Sequence, residues 1–111
     1  LFDKACMIEQ DDAVVVFAFG RDYSDVAMLF DWARRQGARA VLITDVPYTH
    51  MASLADSVIV FERGPMDIFS SMAIPVAVAD ALVVAVTKHR GESALEAVRK
   101  LENVRKRYGF L

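Results

Sequence analysis

Residues 13–19 read Ala-Val-Val-Val-Phe-Ala-Phe, an uninterrupted apolar run rich in β-branched and aromatic side chains, preceded by Asp11-Asp12 and stopped by Gly20. A strand with one wet face alternates apolar and polar residues, so a run without a polar position belongs to a strand covered on both faces. Residues 38–44 (Ala-Arg-Ala-Val-Leu-Ile-Thr) and 57–61 (Ser-Val-Ile-Val-Phe) repeat the pattern. Between the first and second runs the period becomes helical. Val26, Leu29, Phe30 and Ala33 fall at i, i+3, i+4 and i+7, with Ser24 placed to cap the start and Gly37 the end. Asp31 and Arg35 stand four apart on the outer face, and residues 49–55 predict a short helix before the third run. Buried strands separated by helices predict an α/β fold, a three-layer sandwich on a parallel sheet with right-handed crossovers.

Beyond Gly64 and Pro65 an apolar helix is expected to about Lys88, with one seam at Ile68, Met72, Pro75, Ala79, Leu82 and Val86 and a second at Ile74, Val78, Ala81 and Ala85. Pro75 should kink it or open a new segment. Two apolar faces are two surfaces to bury, and the second, lined partly by alanines, predicts a homodimer through the 66–88 helix. The run from Met66 to Val86 could span a bilayer in length, but Asp67, Pro75 and Asp80 interrupt it. A carboxylate at the centre of a lipid-exposed helix costs about 2.5–3.5 kcal/mol, so no membrane is expected. Ser93-Ala-Leu-Glu96, just past Gly91, has the form of a capping box opening a last helix with the stripe Leu95, Val98, Leu101 and Val104. Arg99, Lys100, Arg105, Lys106 and Arg107 cover its other faces and its carboxyl end.

A chain of 111 residues allows one domain spanning 1–111, and 55% hydrophobic against 25% charged residues excludes disordered, collagenous and disulfide-rich classes. The net charge of −2 offers no basic surface for nucleic acid, so DNA contact would need a domain outside this chain. The lone Cys6 fits a reducing compartment and the cytoplasm is the expected location. Residues 1–9 lack the basic and apolar regions of a signal peptide. The chain reads as part of a longer protein: three strands are few for an open parallel sheet, and the missing ones are expected ahead of Leu1.

Ligands of open parallel sheets bind outside the carboxyl ends of the strands. After the first strand that edge reads Phe19-Gly20-Arg21-Asp22-Tyr23-Ser24. Gly20 for a tight turn, with Arg21 and Ser24 as donors at a helix start, are the parts of a phosphate cradle. The same residues also read as a plain turn, a solvated arginine and a cap, and Asp22 opposes an anion unless Arg21 pairs with it. On the second loop Thr44, Tyr48 and Thr49 are candidates for sugar hydroxyls. His50 reads as a surface residue in the first turn of a helix, His89 as a partner of a helix carboxyl end, and Asp80 as the solvent edge of its helix. Asp11 and Asp12 predict a turn, while Asp56 is expected to cap the short helix or close its loop. No HExxH, GxSxG, CxxC, P-loop or GxGxxG pattern is present, so no catalytic residue, metal or cofactor is assigned.

The stretches Asp12-Ala-Val-Val-Val-Phe-Ala-Phe-Gly-Arg-Asp-Tyr-Ser24, Trp32-Ala-Arg-Arg-Gln-Gly-Ala-Arg-Ala-Val-Leu-Ile-Thr-Asp45 and Leu54-Ala-Asp-Ser-Val-Ile-Val60, taken together, resemble the SIS (sugar isomerase) domain. The likeness is greatest to the effector domain of RpiR-type bacterial transcriptional regulators. The resemblance implies a dimerising parallel α/β domain that senses a phosphosugar or other carbohydrate derivative and modulates DNA binding by an N-terminal helix-turn-helix domain, absent here with the first SIS strand and helix. It does not imply an enzyme. Gly20, Arg21, Tyr23, Ser24, Thr44, Tyr48 and Thr49 are the expected ligand-binding residues. The chain departs from the family's Ser-x-Ser-Gly-x-Thr pattern: Phe17 and Phe19 occupy the serine positions and Asp22 the threonine position, which weakens the case for phosphate and favours Arg21, Tyr23 and Ser24 as effector contacts. The alternatives are an aldose-ketose isomerase, with His50 or Glu62 as the base it would need, and a structural dimerisation module whose ligand site has decayed.

Overall fold

The computed structural model describes residues 2–64 and 70–109, and the chain divides into two compact units, Leu1–Ser70 and Ser71–Leu111. The first runs α1 (Phe2–Ala5), β1 (Ala13–Phe17), α2 (Ser24–Arg35), β2 (Arg39–Thr44), α3 (His50–Leu54) and β3 (Ser57–Val60). The strands form one parallel sheet in the order β1-β2-β3, with Val15 opposite Val41, Phe17 opposite Ile43, and Ile43 opposite Ile59. The α/β class with a parallel sheet is thus as the sequence predicts.

Alternation along the strands sends Val14 and Val16 of β1, with Ala40 and Leu42 of β2, to the side where α2 and α3 lie. There they pack with Ala27, Phe30, Met51 and Ala52 into one apolar cluster. Phe30, Leu42 and Met51 are fully buried. Only β2 is buried along most of its length. The opposite side of the outer strands carries Val15, Phe17 and Ile59, each more than a third exposed, so the expectation that all three strands are covered on both faces holds for the middle strand alone.

Helix α2 starts and ends for different reasons than its sequence suggests. Its N-cap is the extended Tyr23, without a side-chain cap, and Ser24 is the first helical residue. At the other end the N–H of Gly37 donates to Arg34 O and that of Ala38 to Ala33 O, the paired bonds of a Schellman motif around a residue of positive φ. Gly37 has φ +80°, and an added Cβ would sit 3.0 Å from Cγ of Gln10. Gly37→Ala is therefore expected to cost about 1–2 kcal/mol, measured by urea unfolding. A loss within experimental error would show that the loop ahead of β1 yields freely. The Asp31–Arg35 pair forms at 2.9 Å with both side chains mostly exposed, so it adds little stability.

Asp12 accepts the N–H of Glu9, forming the expected turn into β1. Of the two expectations for Asp56, closing the loop holds and capping α3 does not. Its carboxylate accepts from the N–H of Ala40 at 2.7 Å while its own N–H donates to Ala40 O, so it clasps the start of β2 rather than capping α3. The cap of α3 is Thr49, whose hydroxyl accepts the N–H of Ala52.

The second unit consists of the helices α4 (Ala73–Arg90) and α5 (Glu92–Tyr108), joined at Gly91. Pro75 lies in the first turn of α4, where its missing N–H has no partner to lose, so it opens a segment rather than kinking one. The expected helical stretch before Ala73, with Met66, Asp67 and Ile68, falls mostly outside the described residues. Because Gly91 serves as N-cap of α5, Ser93 falls inside the first turn and the capping box does not form. Leu95, Val98, Leu101 and Val104 of α5, and Ile74, Val76, Val83, Val84 and Val86 of α4, are all exposed. Among the described residues no helix is long and apolar enough to cross a membrane.

Candidate functional site

Parallel strands bring their following loops to one edge, and here three loops are tied together by one side chain. The N–H of Gly20, after β1, donates to Oδ1 of Asp45 at 2.8 Å. Nε of Arg63, after β3, donates to Oδ2 of the same carboxylate at 3.0 Å, in an ion pair whose side chains are only 16% and 15% exposed. Asp45 directly follows β2. Gly20 takes φ +84°, which turns its N–H toward Asp45. Burial pushes the Asp45 carboxyl up, but the Gly20 hydrogen bond and the Arg63 hydrogen bond and charge outweigh it and hold the group below the ordinary 3.8.

Aromatic side chains build outward from this clamp. The guanidinium carbon of Arg63 lies 4.6 Å from the centroid of the Phe19 ring. Phe19 is tilted against Phe61 at 5.8 Å and Phe17 at 6.5 Å between centroids. Tyr23 donates its hydroxyl to Phe19 O at 2.9 Å, closing the β1–α2 loop, and its ring carries the guanidinium of Arg21 at 4.9 Å. Phe17, Ala18, Phe19, Tyr23, Val26 and Arg63 line an open cleft of about 440 Å³, a size within the range of small-molecule sites.

Asp22 reaches across to the start of α3. Its two carboxylate oxygens accept the backbone N–H groups of His50 at 2.8 Å and Met51 at 3.1 Å. Those bonds, the one from Met51 foremost, with the nearby His50, hold its carboxyl below the usual value against the opposing effect of desolvation. The carboxylate therefore caps a helix in the neighbouring loop.

The predicted site residues separate on this geometry. Tyr23 lines the cleft, Arg21 lies beside it on Tyr23, and Gly20 forms the clamp. Ser24 is exposed at the head of α2, where Arg21, Asp22, Tyr23, Ser24 and Asp25 line a separate polar hollow. Thr44 is fully buried, and its hydroxyl accepts the N–H of Val46 and turns toward Val46 O; it holds its own loop and presents nothing to a ligand. Thr49 caps α3, and Tyr48 projects into solvent at 95% exposure. The second loop thus contributes its aspartate to the clamp. Sequence reasoning did not single out Asp45 or Arg63. The available signal was an acidic residue immediately after the middle strand of a parallel sheet, opposite a glycine after its neighbour.

The parallel sheet, with helices packed against it and its loops interlocked at the carboxyl edge, defines an α/β domain. The SIS domain matches residues 1–107, and the chain belongs to that family. No curated protein matches by sequence. The fold is similar to the crystal structure of the RpiR transcription factor from Sphaerobacter thermophilus (sugar isomerase domain), with a TM-score of 0.72 at 20% identity, over 92% of this chain and 57% of that one. It is also similar to that of a hypothetical protein, with a TM-score of 0.58 at 22% identity, over 78% and 53%. The chain thus spans little more than half the length of these structures.

Proposed function

We propose that this chain is the effector-sensing, dimerising part of a cytoplasmic transcriptional regulator of the RpiR kind, acting on DNA through a domain outside the chain. The observation that carries the reading is the Asp45 clamp. It joins the loops after all three strands beside a cleft of small-molecule size, in a chain of the SIS family. A ligand bound there with different affinity for two loop arrangements shifts their balance, which is what a sensor requires. The reading is of a binding domain rather than an isomerase. His50 and Glu62, the candidate bases, are both exposed and neither is among the residues lining the cleft.

Thermal unfolding of the full-length protein with phosphosugars, free sugars and small carboxylates tests the sensor. A ligand at a hundred times its Kd adds about 2.7 kcal/mol, and Arg21→Ala is expected to reduce that gain. Stabilisation by none of the three classes, and by no uncharged ring compound such as indole, would favour a structural module instead. For dimerisation, the support is the row of exposed apolar residues on α4 and α5. Sedimentation of the full-length protein at micromolar concentration should give a dimer, and Val83→Glu with Val84→Glu should shift it toward monomer. A wild-type monomer would remove this part of the proposal.

A further inference from the structure

Resting on the reading of the cleft as the sensing site, we infer that its ligand is an uncharged molecule with a flat apolar ring, and not a phosphate ester. The first reason is charge. The described residues of the three loops bring Arg21 and Arg63 against Asp22, Asp45 and Glu62, so a phosphate dianion meets a net negative edge. The second is that several donors of these loops are already engaged, while Ser24 lines the separate polar hollow and not the cleft. The N–H of Gly20 is given to Asp45, the N–H groups of His50 and Met51 at the head of α3 to Asp22, and the Tyr23 hydroxyl to Phe19 O. An anion would have to displace a carboxylate from each of the first two positions.

What the cleft does offer is ring surface. Phe17, Phe19 and Tyr23 line it with the aliphatic Ala18 and Val26. Phe17 and Phe19 stand tilted to each other at 6.5 Å, a geometry that a third ring can extend by offset or edge-to-face contact. A cationic ligand is disfavoured because Arg63 lines the same cleft and already lies over Phe19.

Saturation-transfer NMR and titration calorimetry on the full-length protein decide the matter, with indole as the ring probe and glucose 6-phosphate and inorganic phosphate as the anionic ones. Indole is expected to bind, with little dependence on salt, and Phe19→Ala to weaken it about tenfold. Phe17→Leu, which keeps apolar bulk while removing the ring, should weaken it several-fold and guards against a Phe19 variant that fails to fold. Binding of glucose 6-phosphate without indole would overturn the ligand class while leaving the sensing reading intact. Binding of neither, with the wild-type protein folded, would overturn the ligand class, and the thermal screen above then decides the sensing reading.

Discussion

Asp45→Ala is expected to lower stability by about 2 kcal/mol, because hydrogen bonds to a charged group are lost on two sides at once and Arg63 is left without that counter-charge in a largely enclosed position. Urea unfolding of wild type and variant measures it. A companion readout is acid stability. A carboxyl whose folded value lies below its ordinary 3.8 contributes stability that is complete above that point and is lost as pH falls through the lowered value. Between about pH 4 and pH 2 the wild type should therefore lose stability more steeply than Asp45→Asn. A variant as stable as wild type, with the same acid profile, would show that the three loops hold their places without the clamp.

The second large effect lies in the core. Phe30 is fully buried, in a cluster with Leu42 of the middle strand and Met51 of α3, so its ring joins the central helix to the sheet and to the helix beside it. Phe30→Ala removes that ring and leaves a cavity that an aliphatic neighbourhood closes only partly. The expected loss is about 3–5 kcal/mol, enough to unfold many domains of this size at moderate temperature. Thermal and urea melts test it, with Phe30→Leu as a milder control that retains most of the volume. A loss below about 1 kcal/mol would mean that α2 is not held through this residue.

The elements themselves were legible because apolar runs and helical periods state directly which faces must be buried. The three strands, α2 with its stripe and the Thr49-led α3 all follow from them. Capping was less legible. Ser24 and Ser93 both have the right residue type and spacing, yet Tyr23 and Gly91 open the helices, because chain direction at each junction depends on what precedes it. The exposure of β1 and β3 was not readable either, since a run of apolar residues is the same in a middle strand and an outer one. For the site, sequence located the edge and, among the cleft residues, Tyr23; Phe17 and Phe19 stood out only as departures from the family pattern. It could not show that Thr44 and Thr49 are occupied by their own loops, or that Asp22 reaches another helix. Those are contacts between residues far apart in the chain, such as the 28 positions between Asp22 and His50, and they carry no local pattern.

The Asp45 carboxylate has two oxygens and each answers to a different strand. Whatever pulls Arg63 aside therefore also alters the seat of Gly20, and the disturbance crosses the full width of the sheet through a single group of three atoms. The loops after β1 and β3 are thus joined through one carboxylate, and a second time through Phe19, which both Arg63 and Phe61 touch.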